Sequence, residues 1–204
     1  MEKELVIAAY DKNYNWVSLL DVSIKQTIYL KGNITRKPFK KSVEILIEPN
    51  LGRDVHTFFY HIVKNYNNLS NYTFFSQDHP FDHVANYTEI INGNIDVWGK
   101  YSKQSNNGCW FFNTYSEIIE CDQTGYPQHC GLDIKSVYEH LFLGNCPEKI
   151  QFVPSGHFCV SKECILQNGK EFYEKILFLL ENYEITPWII ERLEPYIFKI
   201  YDKN

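Results

Sequence analysis

The chain has 204 residues, 44% of them hydrophobic and 16% aromatic, enough to bury a sizeable core within one large domain. Its formal net charge of −5, from 20 Lys and Arg against 25 Asp and Glu, argues against a general electrostatic grip on a nucleic-acid backbone, so no nucleic-acid partner is expected. No apolar run reaches the roughly 18 residues of a membrane-spanning helix, and Met1-Glu2-Lys3-Glu4 leads straight into a strand without the basic flank and apolar stretch of a signal peptide; these features predict no integral membrane segment and a cytoplasmic protein.

Taken in chain order, Leu5 to Tyr10 reads as a first buried strand, Trp16 to Leu20 as a short helical turn, and Gln26 to Leu30 as a second strand. The succession predicts a parallel α/β unit. The basic run Arg36-Lys37-Pro38-Phe39-Lys40-Lys41 reads as a solvated loop, and Val43 to Ile47 as a third short strand. Pro49-Asn50-Leu51-Gly52-Arg53-Asp54 then opens a helix on which Val55, Phe58, Phe59, Ile62, Val63 and Tyr66 recur at helical spacing. The polar turn Asn67 to Asn71 ends that helix and feeds an aromatic strand from Tyr72.

The middle of the chain, Tyr87 to Gly131, gives a helix end or turn at Ile90-Ile91-Asn92-Gly93-Asn94 and a buried element at Cys109-Trp110-Phe111-Phe112, with no clear order between them. Asp133 is placed to cap a helix carrying Ile134, Val137, Leu141 and Phe142 and closed by Gly144. Ile150 to Val153 reads as a strand, Lys170 to Glu181 as a helix, and Thr186-Pro187 as the start of another, which Pro195 should kink or interrupt because it lacks an amide donor. Cys109, Cys121, Cys130, Cys146, Cys159 and Cys164 contain no Cys-x-x-Cys pair, so they are expected as free thiols without a zinc or catalytic role.

The stretch with most chemical content is Tyr72-Thr73-Phe74-Phe75-Ser76-Gln77-Asp78-His79-Pro80-Phe81-Asp82-His83. An aromatic run that suits a buried strand stops in carboxylates and imidazoles, which are costly to bury unless paired or bound to a cation, so the switch marks a strand end opening onto a cleft. Ligands of open parallel sheets bind beyond the carboxyl ends of the strands, where Ala9, Tyr10, Lys31, Gln77 and Asp78 would lie. Arg53, just after Gly52 at a helix start, combines a forked set of donors with the positive end of the helix dipole and suits a phosphate.

Four segments in order also resemble a family of small glycosyltransferase-like domains, long catalogued as a domain of unknown function and including a domain from large DNA viruses of algae. They are Asn50-Leu51-Gly52-Arg53-Asp54; Phe74 to His83; Pro154-Ser155-Gly156-His157-Phe158-Cys159-Val160-Ser161 followed by Glu171-Phe172-Tyr173; and Ile190-Glu191-Arg192-Leu193 followed by Ile197-Phe198. The resemblance spans nearly the whole chain and implies a single GT-A-like α/β domain over 1–204, with a mostly parallel sheet flanked by helices. Residues 1–85 would then hold the nucleotide and metal, and 86–204 the acceptor. In such a fold a nucleotide sugar lies across the strand ends and an acidic motif binds the divalent cation that bridges the diphosphate. The usual Asp-x-Asp pattern is replaced here by Ser76-Gln77-Asp78, so one carboxylate carries over.

The reading that follows is a metal-dependent transferase moving sugar from a nucleotide-sugar donor, a UDP-sugar by preference, to a hydroxyl of a glycan or glycoprotein acceptor. Mn²⁺ or Mg²⁺ would act as a Lewis acid on the diphosphate, held by Asp78 with His157 as a further ligand and His79, Asp82 and His83 orienting the site. Tyr10 would stack on the base. Glu191, in an acidic position of the family's late motif, is the first candidate to take the acceptor's proton, and Asp133 is the second. Two other classes stay open: a metal-dependent hydrolase built on Asp78-His79-x-x-Asp82-His83, and a fold that binds a sugar or a protein without chemistry.

Overall fold

The computed structural model describes residues 1–11, 13–32, 42–46, 49–106, 108–154 and 156–201. Residues 36–41, the basic run, and Ile47 lie outside them, as does Ser155. β1 (Lys3–Ala9) turns Leu5, Ile7 and Ala9 to one face and Val6 and Ala8 to the other, and all are buried. A strand covered on both faces is apolar at successive positions, which explains a continuous run rather than an alternating one.

A 3-10 turn over Asn15–Leu19 leads to β2 (Lys25–Leu30), and β3 (Ser42–Leu46) forms the sheet edge. α1 (Arg53–Asn65) buries Val55, Phe58, Phe59, Ile62 and Val63, the stripe that its periodicity predicts, and β4 (Tyr72–Gln77) follows. Strands β3, β2, β1 and β4 are adjacent and parallel, with Ala9 opposite Leu30 and Ala8 opposite Gln77, so their carboxyl ends share one edge.

The middle of the chain supplies α2 (Tyr87–Asn92), α3 (Ile95–Tyr101), β5 (Ser102–Asn106), β6 (Cys109–Phe112) and β7 (Ile119–Asp122). Beyond them come α4 (Ile134–Phe142), β8 (Lys149–Phe152), β9 (Phe158–Ser161), α5 (Lys162–Ile165), α6 (Lys170–Asn182) and α7 (Thr186–Ile197). β9 pairs antiparallel with both β4 and β6, giving a seven-stranded sheet in the order β3-β2-β1-β4-β9-β6-β5. The fold is therefore α/β, with a mostly parallel central sheet flanked by helices. The strand expected near Ile150 exists as β8 but pairs with β7 in a separate two-stranded ladder.

One side of the sheet packs Val6, Phe75, Phe111 and Phe158 against α1, α4, α6 and α7. The other packs Leu5, Ile7, Phe74, Trp110 and Phe112 against Trp16, Tyr87 and Trp98. Asp133 caps α4 as expected, its Oδ1 accepting the Ser136 amide at 3.2 Å, but the left-handed residue that closes the helix is Leu143 (φ 56°) and not Gly144.

Pro195 does not end the last helix, which runs on to Ile197. The burial of Leu193, Tyr196 and Ile197 around it outweighs a proline's cost of about 3 kcal/mol in a helix. All six cysteines are free, and only Cys130 is exposed. Among the described residues no helix is long and apolar enough to cross a membrane.

Candidate functional site

At the carboxyl ends of β1, β2 and β4 the chain opens a cleft of about 390 Å³ lined by Ala8, Tyr10, Asp11, Lys31, Asn50, Arg53, Asp54, Gln77 and Asp78. That volume lies in the range of small-ligand sites, about 300 to 1,000 Å³. Tyr10, Lys31, Arg53, Gln77 and Asp78 are therefore brought together, as the topology predicts. Ala9 is buried just beneath, with its carbonyl accepting the Lys31 amide at 2.8 Å.

Asp78 is the hinge pin of this edge. Its Oδ2 accepts the backbone amides of Tyr10 (3.0 Å) and Asp11 (3.2 Å), and its carbonyl accepts the Trp16 indole N–H at 2.8 Å. The carboxylate thus ties the loop after β1 to the end of β4, with 6% of the residue's surface exposed. It offers a metal one partly committed donor. Among the described residues no group of three or more His, Cys, Asp and Glu is gathered around a common point. One carboxylate together with substrate phosphates still suits Mg²⁺ or Mn²⁺, which keep much of their shell as water and phosphate oxygen.

Lys31 is buried, and its ammonium donates to the carbonyls of Leu51 (2.6 Å) and Arg53 at the start of α1. Burial pushes its pKa down to about 8, against the opposing pull of Asp54. A lysine ammonium has three donors, and among the described residues these two carbonyls are its hydrogen-bond partners. The clamp holds an unusual turn: Gly52 (φ 59°) and Arg53 (φ 54°) are both left-handed, the second without glycine's freedom. No side chain caps α1, so its first amides, Lys31 and the exposed Arg53 together favour an anion. The Arg53 guanidinium lies over the Trp188 ring, 5.1 Å from its centre.

A second, smaller recess of about 60 Å³ adjoins the cleft, sharing Arg53, Asp54 and Gln77 with it and adding Val55, Gly156, Pro187, Trp188 and Glu191. Here Gln77 Nε2 donates to Asp54 Oδ2 at 2.6 Å. Gly156 is left-handed (φ 62°), and a Cβ there would lie 2.8 Å from Asp54 Oδ2, so glycine makes room for that carboxylate. The Glu191 side chain keeps 25% of its surface exposed and stands 3.7 Å from the Arg192 guanidinium. Burial first, then the neighbouring Asp54, push its pKa up to about 7 against the pull of Arg192 and Arg53.

The other expected residues sit elsewhere. His157 is wholly buried, its Nδ1 3.3 Å from Ser76 Oγ, and burial pushes its pKa down to about 3, with His83 adding to the effect; it lines neither cavity. His79 and Asp82 form an exposed pair at 3.6 Å around the turn Pro80–Asp82, and the His83 ring packs 5.7 Å from that of His157. They shape the turn beyond β4 and do not enter the cleft. Asp133 is the exposed cap of α4 and lines neither cavity. Asp54 is the residue the sequence reading missed, because an acid in the first turn of a helix is ordinary. No family model, curated protein or solved structure matches the chain.

Proposed function

We propose that the protein is a cytoplasmic, nucleotide-sugar-dependent glycosyltransferase of the GT-A type. Its donor would be a UDP-sugar by preference and its acceptor a hydroxyl of a glycan or glycoprotein. The observation that carries the reading is the cleft at the carboxyl ends of three parallel strands, where an exposed aromatic, two cations and three carboxylates, Asp11, Asp54 and Asp78, meet. Tyr10, 55% exposed, offers a face for the base. Lys31, Arg53 and the uncapped start of α1 receive the diphosphate.

Asp78 would hold Mn²⁺ or Mg²⁺ jointly with the donor's phosphates, and the cation, when bound, supplies charge neutralisation for the leaving diphosphate. Glu191, in the adjoining recess with its pKa pushed up to about 7, would take the acceptor's proton. The hydrolase alternative finds less support, because His79, Asp82 and His83 stay in the turn rather than joining Asp78 at the cleft.

The test is calorimetric titration of the intact chain with UDP, GDP and dTDP, with and without Mn²⁺. One nucleoside diphosphate should bind, more tightly with the metal, and Arg53→Ala should weaken it by about tenfold, the worth of one good charge-assisted contact. Absence of binding by all three under both conditions would overturn the reading.

A further inference from the structure

We infer that Asp54 and Glu191 work as a carboxylate pair around a small recess that receives the acceptor hydroxyl, with Asp54 the positioning residue that keeps Glu191 able to accept a proton. The inference deepens the transferase reading and rests on it for the identity of the hydroxyl.

At about 60 Å³ the recess is far smaller than the main cleft, with room for a few waters or for a hydroxyl-bearing part of an acceptor. Both carboxylates line it, and it opens beside the main cleft through the shared residues Arg53, Asp54 and Gln77. An acceptor hydroxyl seated there meets Glu191 on one wall while the donor lies in the neighbouring space.

The two carboxylates are not equivalent. Asp54 accepts the Gln77 amide at 2.6 Å and sits beside Lys31. Glu191 is desolvated and faces Asp54, so it is the member that takes up a proton. Like charges in one small space ionise in succession, and the fixed charge of the first makes the second more basic.

The charged groups facing Glu191 are Asp54 and Arg53 on α1 and Arg192 on α7 itself; Gln77 and Gly156 complete the wall without charge. Glu194, one turn further along α7, is wholly buried, and burial pushes its pKa well above the usual carboxylate value, with Glu191 and Asp54 adding to the effect.

In the transfer, Glu191 takes the proton of the acceptor hydroxyl as that oxygen bonds to the anomeric carbon. The bond from that carbon to the diphosphate oxygen breaks, and its electron pair leaves on the diphosphate. With a depressed pKa, Glu191 would be ionised at neutral pH but a weak base; with Asp54 beside it, it combines an available ionised fraction with basicity.

The test reads Glu191 directly and needs no substrate. The protein is labelled with ¹³C at glutamate side-chain carboxyls, and the Glu191 resonance is assigned by its loss in Glu191→Gln. Its midpoint is then followed in the parent chain, in Asp54→Asn and in Arg53→Gln. Asparagine keeps the size of Asp54 and still accepts from Gln77, so the recess keeps its shape.

The parent midpoint is expected near neutrality. Asp54→Asn should lower it by about one unit, a tenfold drop in proton affinity, and Arg53→Gln should raise it. General damage to the fold would not move the two variants in opposite directions. A parent midpoint below about 5, or one unmoved by Asp54→Asn, overturns the inference. Failure of every nucleotide to bind, with the two opposed shifts intact, would instead sink the transferase reading and leave the pair standing.

Discussion

Replacing Asp78 with alanine separates its architectural work from any role toward a ligand. The substitution removes the acceptor for two backbone amides, Tyr10 N at 3.0 Å and Asp11 N at 3.2 Å. Each hydrogen bond to a charged group contributes about 1.5 to 3 kcal/mol, but the amides are half-exposed and water replaces part of the loss, so the net cost is about 3 kcal/mol. An asparagine in its place would keep an acceptor oxygen without the charge, and Asp78→Asn should cost about 1 to 2 kcal/mol.

Urea unfolding followed by tryptophan fluorescence reads both variants, since the Trp16 indole is bonded to the carbonyl of the same residue. With a slope of about 2 kcal/mol per molar urea, the midpoint should fall by roughly 1.5 M for alanine and by about 0.5 to 1 M for asparagine. The contrary case is also physical: Asp11, Asp54 and Asp78 crowd one cleft, and if repulsion among them dominated, removing a charge would stabilise the protein. A midpoint that stays put or rises in both variants would refute the hinge-pin reasoning. Because Tyr10 rides on the loop that Asp78 anchors, the alanine variant should also lose nucleotide affinity without metal, which a pure metal ligand would not predict.

Two further substitutions test the core and the recess. His61 is buried between Tyr29 (hydroxyl to Nδ1, 3.0 Å) and Glu4, and burial pushes its pKa down to about 4. Its folded-state value lies below the unfolded one of about 6.5, so its contribution is complete above that pH and is lost as the pH falls toward 4, by up to ~1.4 kcal/mol per unit. The stability gap between the parent and His61→Gln should therefore narrow by about 2 kcal/mol from pH 7 to pH 5 in urea unfolding; a constant gap would contradict it. Gly156→Ala places a Cβ 2.8 Å from Asp54 Oδ2 at φ 62°, whereas Gly131→Ala, at φ 89°, meets open space. Both pay the left-handed penalty of about 1 to 2 kcal/mol, but Gly156→Ala should lower Tm by several degrees more, and equal shifts would remove glycine's assigned role beside Asp54.

The parallel half of the sheet was readable because its strands announce themselves. Leu5 to Ala9 and Thr73 to Ser76 are buried on both faces, and the apolar run of the first and the Phe74-Phe75 centre of the second leave no alternation to confuse the period. The other half carries no such mark. β5 is Ser102-Lys103-Gln104-Ser105-Asn106, polar throughout, and is held by its pairing with β6 and by distant bonds: Gln104 donates to the Tyr201 hydroxyl at 2.5 Å and Asn106 to the carbonyls of Phe198 and Lys199. Those partners lie almost a hundred positions away, beyond the reach of any local pattern.

The site divides along the same line. Tyr10, Lys31 and Asp78 were found by topology alone, since they follow successive parallel strands. His157 was misplaced because a histidine beside a glycine reads the same whether it faces a cleft or, as here, is sealed behind β4 with its Nδ1 at Ser76. Asp54 and Glu191 meet only because α7 returns from the far end of the chain to pack on α1. That return adds a recess to the cleft: Arg53 and Asp54, at the start of α1, line both spaces, while Lys31 lines the cleft alone and Glu191 the recess alone.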